Sequence, residues 1–435
     1  MLKRLLNKPW FNKLLEAQFF LVWIACTINA IPKRYIKIMF VSEIVIFSLM
    51  VVLHWRTIYK YMTLSKPGKL VMVFFIMFFS VAGIYLWLSY KDLPYFWRIP
   101  LLLYDQEYIY RQFMIVTELF VPLGLSFIMA RTGTIYKANS LFLFLMLCLV
   151  VGFYYSGHAN KIMLSGLVVS IAALMALKTR NYLYLIIIPL VISNHSAYNI
   201  AAAAMVGMIV LRRPLKAFLS HHTTWRILFL LLVVSLTIYH YSDAIYGKIT
   251  TDENSLWRLR VWENEINTLS DTYYTGVGFG TTYVTYDIYT IVNNPNMYFD
   301  KDRTLYGRLF MVANHNSFLN MFYRMGIFGG TIFLMLNILI CSYTIHCYRK
   351  AKEFRRYIWW AFSCFIYQVI IIFLNPGLEM MQFAINYMGS LSMLMAVNYS
   401  HVLVMKGKRS YLHRLYVKAQ WKKIQLKTFI ATSLR

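Results

Sequence analysis

The sequence predicts an all-α polytopic membrane protein with about twelve transmembrane helices and one large loop between spans nine and ten. Of its 435 residues, 59% are hydrophobic and 14% are charged, whereas soluble domains average about 25% charged residues. Apolar runs long enough to cross about 30 Å of hydrocarbon recur along the chain. Residues 241–325 are the only long segment without this character, and they hold 9 of the 17 acidic residues. We therefore expect this segment, the external loop, to lie outside the membrane.

The spans follow the apolar runs and are predicted at about 14–31, 36–55, 70–89, 112–130, 139–156, 161–178, 181–193, 196–211, 227–240, 326–346, 357–375 and 382–405. Spans seven and eight are short and closely joined, which favours a helical hairpin of reduced depth. The chain thus divides into four parts: a bundle of nine spans (1–240), the external loop (241–325), three further spans (326–405) and a basic tail (406–435).

The orientation follows from lysine and arginine, which are enriched on the cytoplasmic side of membrane proteins. With a cytoplasmic N-terminus, the inside segments carry 30 of the 44 basic residues. We therefore predict that both termini lie inside and that the external loop lies outside. The net charge of +27 then reflects topology, and nucleic acid is not an expected partner. The basic tail is either a solubilising segment or an amphipathic one that contacts anionic lipid.

Cofactor and metal motifs are absent from the sequence. It contains no Walker, kinase or Rossmann motif, no C-x-x-C spacing for zinc, and no cysteine in the external loop. Asp300 and Asp302 form a D-x-D pair of the kind that holds a divalent metal. Such pairs are common in solvated loops, so we expect no cofactor and no metal site.

Three carboxylates, Glu16, Glu43 and Glu118, lie in predicted spans. An ionisable group at membrane depth is costly and faces protein or water. A proton-coupled transporter would need such groups near the midplane. The alternative is that Glu16 reaches the interface and that tyrosines and serines of neighbouring helices satisfy Glu43 and Glu118. We favour this structural interpretation.

The external loop contains an arginine-rich amphipathic stretch, Ser255 to Ile266. On a helix, Arg258 and Trp262 share a face because residues four apart align, and Arg260 points elsewhere. Such a helix would bury Leu259 and Trp262 and direct one guanidinium toward a phosphate, which its planar fork binds bidentately. A surface ion pair with a neighbouring glutamate is the alternative interpretation.

A glycine-rich turn follows, with Gly276, Gly278 and Gly280 in a G-x-G-x-G pattern. No βαβ unit surrounds it, so a nucleotide site is not indicated. We expect a turn that lets the backbone approach another helix or a ligand.

His315 lies near the end of the external loop, before an apolar run. Asn314 is predicted to cap a helix that starts at His315 and ends near Gly326. A helix N-terminus disfavours imidazolium, so a neutral His315 would accept a proton near pH 7. A purely structural role is the alternative for a lone histidine.

Taken together, three motifs resemble the bacterial O-antigen ligase and polymerase superfamily, which uses undecaprenyl-diphosphate-linked glycans. They are Arg258-Leu259-x-x-Trp262, then Gly276-x-Gly278-x-Gly280, then His315-Asn316-x-x-Leu319 with Gly326 and Gly329 beyond. The motifs cover about residues 255–330, and the rest of the chain matches in architecture. In that family a Ser-Arg pair often begins the paired short helix. Here the stretch reads Ser193-Asn194-His195-Ser196, so His195 or another basic residue would substitute.

The resemblance implies a multi-pass glycosyltransferase of the bacterial inner membrane, with its active site facing the periplasm. Arg258 would engage the lipid diphosphate and His315 would take the acceptor proton. The remaining substrate-binding candidates are Arg260, Trp262, Gly278, Arg308, Asn316 and His195. The expected partners are the lipid-linked donor, a glycan acceptor, the bilayer and a chain-length regulator.

Polymerisation of lipid-linked repeat units is the first expectation for this activity. Ligation to lipid A-core is the close alternative. A lipid-linked glycan flippase is more remote, because such a transporter would show internal repeats and a charged central path. A structural membrane protein would leave the motifs unexplained.

Overall fold

The computed structural model describes residues 8–26, 33–91, 115–137, 140–156, 161–188, 196–212, 253–279, 316–351, 354–375, 378 and 381–405. All regular secondary structure within these residues is helical, and they contain no strand. The predicted all-α class is therefore confirmed for the described part of the chain.

The bounds of the α-helices are α1 Pro9–Ala25, α2 Lys33–Met62, α3 Lys66–Lys91, α4 Phe120–Thr132, α5 Ser140–Tyr155, α6 Lys161–Thr179, α7 Ser196–Val210, α8 Glu253–Asp271, α9 Ser317–Lys350, α10 Arg355–Leu374 and α11 Met381–Met405. Every one of these helices except α8 overlaps a predicted span, and the bounds of the first, second, fourth and tenth spans differ by five residues or more at one end or both. A single helical turn, Thr134–Lys137, follows α4.

Two predicted spans, the seventh and the ninth, are not described over their full length. The described part of the seventh begins as a 3-10 helix, Tyr182–Ile186, because the Asn181 side chain accepts a hydrogen bond from the Leu183 amide and caps a tight turn. The ninth span, at 227–240, lies outside the described residues.

Five helical segments are long and apolar enough to cross a membrane, judged within the described residues alone. They are Tyr35–Met62, Lys66–Leu88, Ile115–Thr132, Ser317–Lys350 and Arg355–Leu374, and shorter apolar helices lie at Leu143–Gly152, Gly166–Thr179 and Ala197–Val210. The number of twelve spans and the position of the external loop between spans nine and ten stay predictions.

The core of the bundle lies around α4 and α11, which pack against each other. Every described side chain of α11 from 383 to 402 is buried, as are those of α4 from 121 to 130, and Glu118 just before α4 is buried as well. Helices that are apolar on all sides belong in such an interior. The outer helices expose large apolar side chains instead, including Leu21, Ile38, Val52 and Leu141, as a lipid-facing surface requires.

Polar side chains link the helices inside this core. Trp23 of α1 donates its indole N–H to Asn386 of α11 at 2.7 Å. The Tyr387 hydroxyl donates to Asn337 of α9 at 2.8 Å. Because unpaired polar groups are costly in an apolar interior, these bonds fix the order and register of the helices that they join.

Two of the three glutamates that lie in predicted spans, Glu16 and Glu43, have side-chain hydrogen-bond partners. Glu16 accepts hydrogen bonds from the hydroxyls of Thr132 at 2.9 Å and Thr134 at 2.8 Å and is buried. The turn after α4 thus covers the Glu16 side chain, and the expectation that it lies at the membrane interface stays a prediction. Glu43 accepts a hydrogen bond from Gln18, a side-chain amide rather than the expected hydroxyl. Both observations favour a structural role.

Candidate functional site

Helix α8 is amphipathic, and one face of it is buried. Val261, Glu265 and Leu269 are buried, and Arg258 and Trp262 are half-buried beside them. This spacing of three and four residues defines a single stripe, so Arg258 and Trp262 do share a face as predicted. The stripe packs against α9.

Arg258 lies at the end of this stripe, near the start of α7. Its charge acts on the phenol of Tyr198, a buried residue of the first turn of α7. The Nε atom of Arg258 and the indole nitrogen of Trp262 are buried, and neither has a hydrogen-bond partner among the described residues. The described residues therefore leave the Nε donor of Arg258 available for a ligand.

The segment after α8, residues 274–278, forms the glycine turn and docks onto a break in α9. At Gly326 the backbone of α9 leaves the helical region, with φ 65° and ψ −173°. The Val277 amide donates to the Tyr323 carbonyl and the Gly278 amide to that of Arg324, each at 2.9 Å. In the other direction, the Ile327 amide donates to the Tyr274 carbonyl at 2.9 Å.

These bonds replace those that the break removes from α9. In a regular helix the carbonyls of residues 323 and 324 would accept from the amides of 327 and 328. Since backbone groups in an apolar environment must be satisfied, the glycine turn supplies the missing partners. The prediction that the turn brings backbone against another helix is confirmed.

Glycine is required on both sides of this contact. Gly276 has φ 83°, and a Cβ there would collide with the Gly326 amide nitrogen and stand 2.8 Å from the Arg324 carbonyl oxygen. A Cβ at Gly326 would stand 2.5 Å from the carbonyl oxygens of Tyr274 and Thr275. The two backbones therefore meet with no space for a side chain.

Arg324 is a fully buried cation at the same contact, and the sequence did not single it out. Its Nη1 donates to the Gly278 carbonyl at 3.2 Å, and its guanidinium carbon lies 5.1 Å from the Tyr323 ring centroid. Glu265 of α8 is also fully buried, and its charge and that of Arg324 both act on the Tyr323 phenol. A buried acid and a buried base thus lie at the α8–α9 contact.

The N-terminus of α9 differs from the prediction. Asn316, not Asn314, is the cap: its side chain accepts from the amides of Phe318 and Leu319, both at 3.1 Å. The helix then begins at Ser317, whose hydroxyl accepts from the Leu378 amide at 3.1 Å. This tie to the α10–α11 connection fixes where the helix can start.

The predicted site residues divide into two groups. Arg258, Trp262, Gly278 and Asn316 are described, and the first three belong to the segment that packs along α9, which Asn316 caps. Arg260 lies on α8, but its side chain is not among those described. The remaining predictions lie outside the described residues: His315, Arg308, His195 and the pair Asp300 and Asp302.

Two exposed aromatic residues join α8 to the glycine turn. Tyr273 and Tyr274 have φ values of 51° and 60°, a left-handed conformation that costs non-glycine residues about 1–3 kcal/mol. Tyr273 is 89% exposed. Such strain often accompanies function, and no periodicity in the sequence could have revealed it.

The arrangement combines an arginine with an available Nε donor, a neighbouring phenol and a rigid backbone turn at a helix break. A guanidinium in this setting can bind an anionic group without a metal ion. Comparison of the chain with protein-family models and with curated proteins gave no match.

Proposed function

We propose that the protein is an integral membrane glycosyltransferase of the bacterial inner membrane. It transfers a glycan from undecaprenyl diphosphate to an acceptor hydroxyl on the periplasmic side. The observation that carries the proposal is the half-buried Arg258, whose Nε has no hydrogen-bond partner among the described residues. It lies on an amphipathic helix outside the apolar spans.

The chemistry needs stabilisation of the departing diphosphate. An arginine remains charged at every physiological pH and presents a planar fork to phosphate oxygens. Fixed donors aimed at developing charge are a major source of catalysis. Arg258 fits this role because it is half-buried on α8 and its Nε has no hydrogen-bond partner among the described residues, and Arg260 and Arg308 would add charge.

The acceptor hydroxyl needs a group that takes its proton. His315 directly precedes Asn316, the cap of α9. The partial positive charge at a helix N-terminus favours neutral imidazole, which is the form that accepts a proton. We assign this role to His315.

Two acceptors are compatible with the proposal. A polymerase would use a second lipid-linked repeat unit, with a chain-length regulator as a partner, and a ligase would use lipid A-core. We favour the polymerase, since His195 stands where the superfamily that the sequence resembles often carries arginine. A flippase is the more remote alternative, because such a transporter would show internal repeats, and none is evident in the sequence.

The test is transfer by the purified full-length protein from a lipid-linked donor. Arg258→Ala should abolish nearly all transfer, and Arg258→Lys should restore only part, because a point charge lacks the fork. His315→Ala should lower turnover by about 10²- to 10⁴-fold, the usual scale of general base catalysis. Supplying either a lipid-linked repeat unit or lipid A-core as acceptor separates polymerase from ligase.

The matched control is Arg131→Ala, which removes an exposed arginine that stacks on Phe127, 5.3 Å from its ring centroid. It should transfer at the wild-type rate. Full activity of Arg258→Ala at normal abundance would contradict the proposal, as would wild-type protein that transfers to neither acceptor.

A further inference from the structure

Four arginines from three neighbouring elements converge at one end of the bundle. Arg180 follows α6, Arg212 follows α7, and Arg355 and Arg356 begin α10. Helix α10 packs against both α6 and α7, and the charges of Arg180 and Arg212 both act on Arg356. We call these four residues the arginine cluster.

Aromatic packing holds this cluster in place. The guanidinium carbon of Arg355 lies 5.7 Å from the ring centroid of Tyr348, at the end of α9. Tyr348 packs on Trp359 with 4.9 Å between centroids, and the Trp359 indole donates to the Met208 carbonyl of α7 at 2.9 Å. The ends of α7, α9 and α10 are thereby fixed to one another, which keeps the backbones that carry Arg212, Arg355 and Arg356 close together.

The elements around the cluster supply no compensating charge. Their described residues, 161–188, 196–212, 316–351 and 354–375, contain no aspartate or glutamate. The Nε of Arg355 is buried and has no hydrogen-bond partner in the described part of the chain. Glu353 is near in sequence but lies outside the described residues, and one carboxylate cannot balance four guanidinium groups.

The surface beside the cluster is apolar. Leu183 and Ile186 after Arg180, and Val210 and Leu211 before Arg212, are all more than half exposed. Arg212, Arg355 and Arg356 are half-buried and Arg180 is exposed, so the cluster opens outward next to these side chains. Cations beside an apolar rim match an anionic headgroup and its acyl chains.

The geometry points to a binding site for the phosphate of an anionic phospholipid headgroup at the arginine cluster. The arginine forks bind phosphate oxygens bidentately, and the apolar rim accommodates the chains. The distribution of basic residues predicts that this end faces the cytoplasm, where anionic lipids concentrate. Inorganic phosphate has the same charged oxygens as the headgroup but has no acyl chains to contact the apolar rim.

The test measures the Tm of purified full-length protein in detergent, with added phosphatidylglycerol, phosphatidylcholine or inorganic phosphate. A ligand that binds the folded state raises Tm, so phosphatidylglycerol should raise it most. Arg355→Gln with Arg356→Gln should lose most of this rise. The corresponding double lysine variant should keep part of it, since the charge remains and the fork does not.

Arg131→Gln is the control, because it removes one exposed arginine at the end of α4, outside the arginine cluster. Like the cluster variants, it leaves the basic tail unchanged. It should show the full rise. If the double glutamine variant does not fold, the exposed Arg180→Gln provides the same test and should show a smaller rise than Arg131→Gln. Equal rises in the cluster variant and in the control would overturn the site, and an equal rise with phosphatidylcholine or inorganic phosphate would overturn its assignment to anionic lipid.

Discussion

Gly276 and Gly326 determine whether the glycine turn can reach α9. Each has a positive φ, and each would place a Cβ against the backbone of the other segment. The sequence predicted a glycine turn, but the G-x-G-x-G pattern does not say which helix it meets. That information lies in the break at Gly326, fifty residues later in the chain.

Gly276→Ala should destabilise the folded protein. The left-handed backbone alone costs alanine about 1–3 kcal/mol, and the collision with Gly326 adds to this cost. Thermal unfolding in detergent measures the change as a lower Tm. Gly83→Ala is the matched control, because its Cβ would meet nothing within 4 Å and a helical alanine should stabilise by about 0.5–1 kcal/mol. Equal Tm values for the two variants would contradict the close approach.

The cap of α9 shows where local sequence stops being informative. Asn314 and Asn316 are both good cap residues, so propensity cannot choose between them. The choice depends on Ser317, which bonds to the backbone of Asn375 and Leu378 across 58 and 61 residues of sequence. Long-range contacts of this kind have no signature in a short window.

At the scale of elements, α9 is one helix with a repaired break. The sequence correctly predicted an interruption near Gly326, but it separated an external helix from a span that the structure joins. Arg324 was missed because arginine next to a predicted loop is ordinarily a surface charge. Its burial depends on α8 packing over it, which no pattern in α9 indicates.

Arg324→Met should loosen α8 and the glycine turn from α9. Methionine keeps much of the side-chain volume but removes the bond to the Gly278 carbonyl, a loss on the order of 1.5–3 kcal/mol for a charged donor. It also leaves Glu265 buried beside Tyr323 without the neighbouring cation. Hydrogen exchange should therefore be faster at the amides of Val277 and Gly278, which are protected by their bonds to carbonyls of α9.

Arg349→Met on the same helix is the control for this measurement, because Arg349 is exposed at the far end. Exchange at the two amides should match the wild type in this variant. Unchanged protection in Arg324→Met would show that the backbone bonds alone hold the turn.

At the scale of the whole molecule, a buried pair of helices, α4 and α11, is surrounded by helices with apolar outer faces. Hydropathy predicted the class and most helix bounds well, because membrane helices must satisfy their backbone internally. It could not predict which helices lie at the centre, since α4 and α3 are both strongly apolar and only contacts distinguish them.

The membrane orientation can be tested by cysteine labelling in intact spheroplasts with an impermeant reagent. Cysteines introduced at Asn294 should react from outside, whereas those at Lys66, Arg213 and Lys408 should react only after permeabilisation, as the distribution of basic residues predicts. The exposed Cys148 and half-buried Cys341 are first replaced by serine. Labelling at Lys408 but not at Asn294 in intact spheroplasts would contradict the predicted orientation. The proposed mechanism, which needs residues 241–325 outside, would then be wrong as well.

The repaired break in α9 also has a consequence for the order of events during biosynthesis. The glycine turn precedes α9 in the chain, so the ribosome delivers it first. When α9 emerges, the carbonyls of Tyr323 and Arg324 lack donors within their own helix, and buried carbonyls without a donor are costly. Their partners have already been made by then, so insertion of α9 can close the break at once. A chain with the reverse order would leave those carbonyls bare until the ribosome had made the turn.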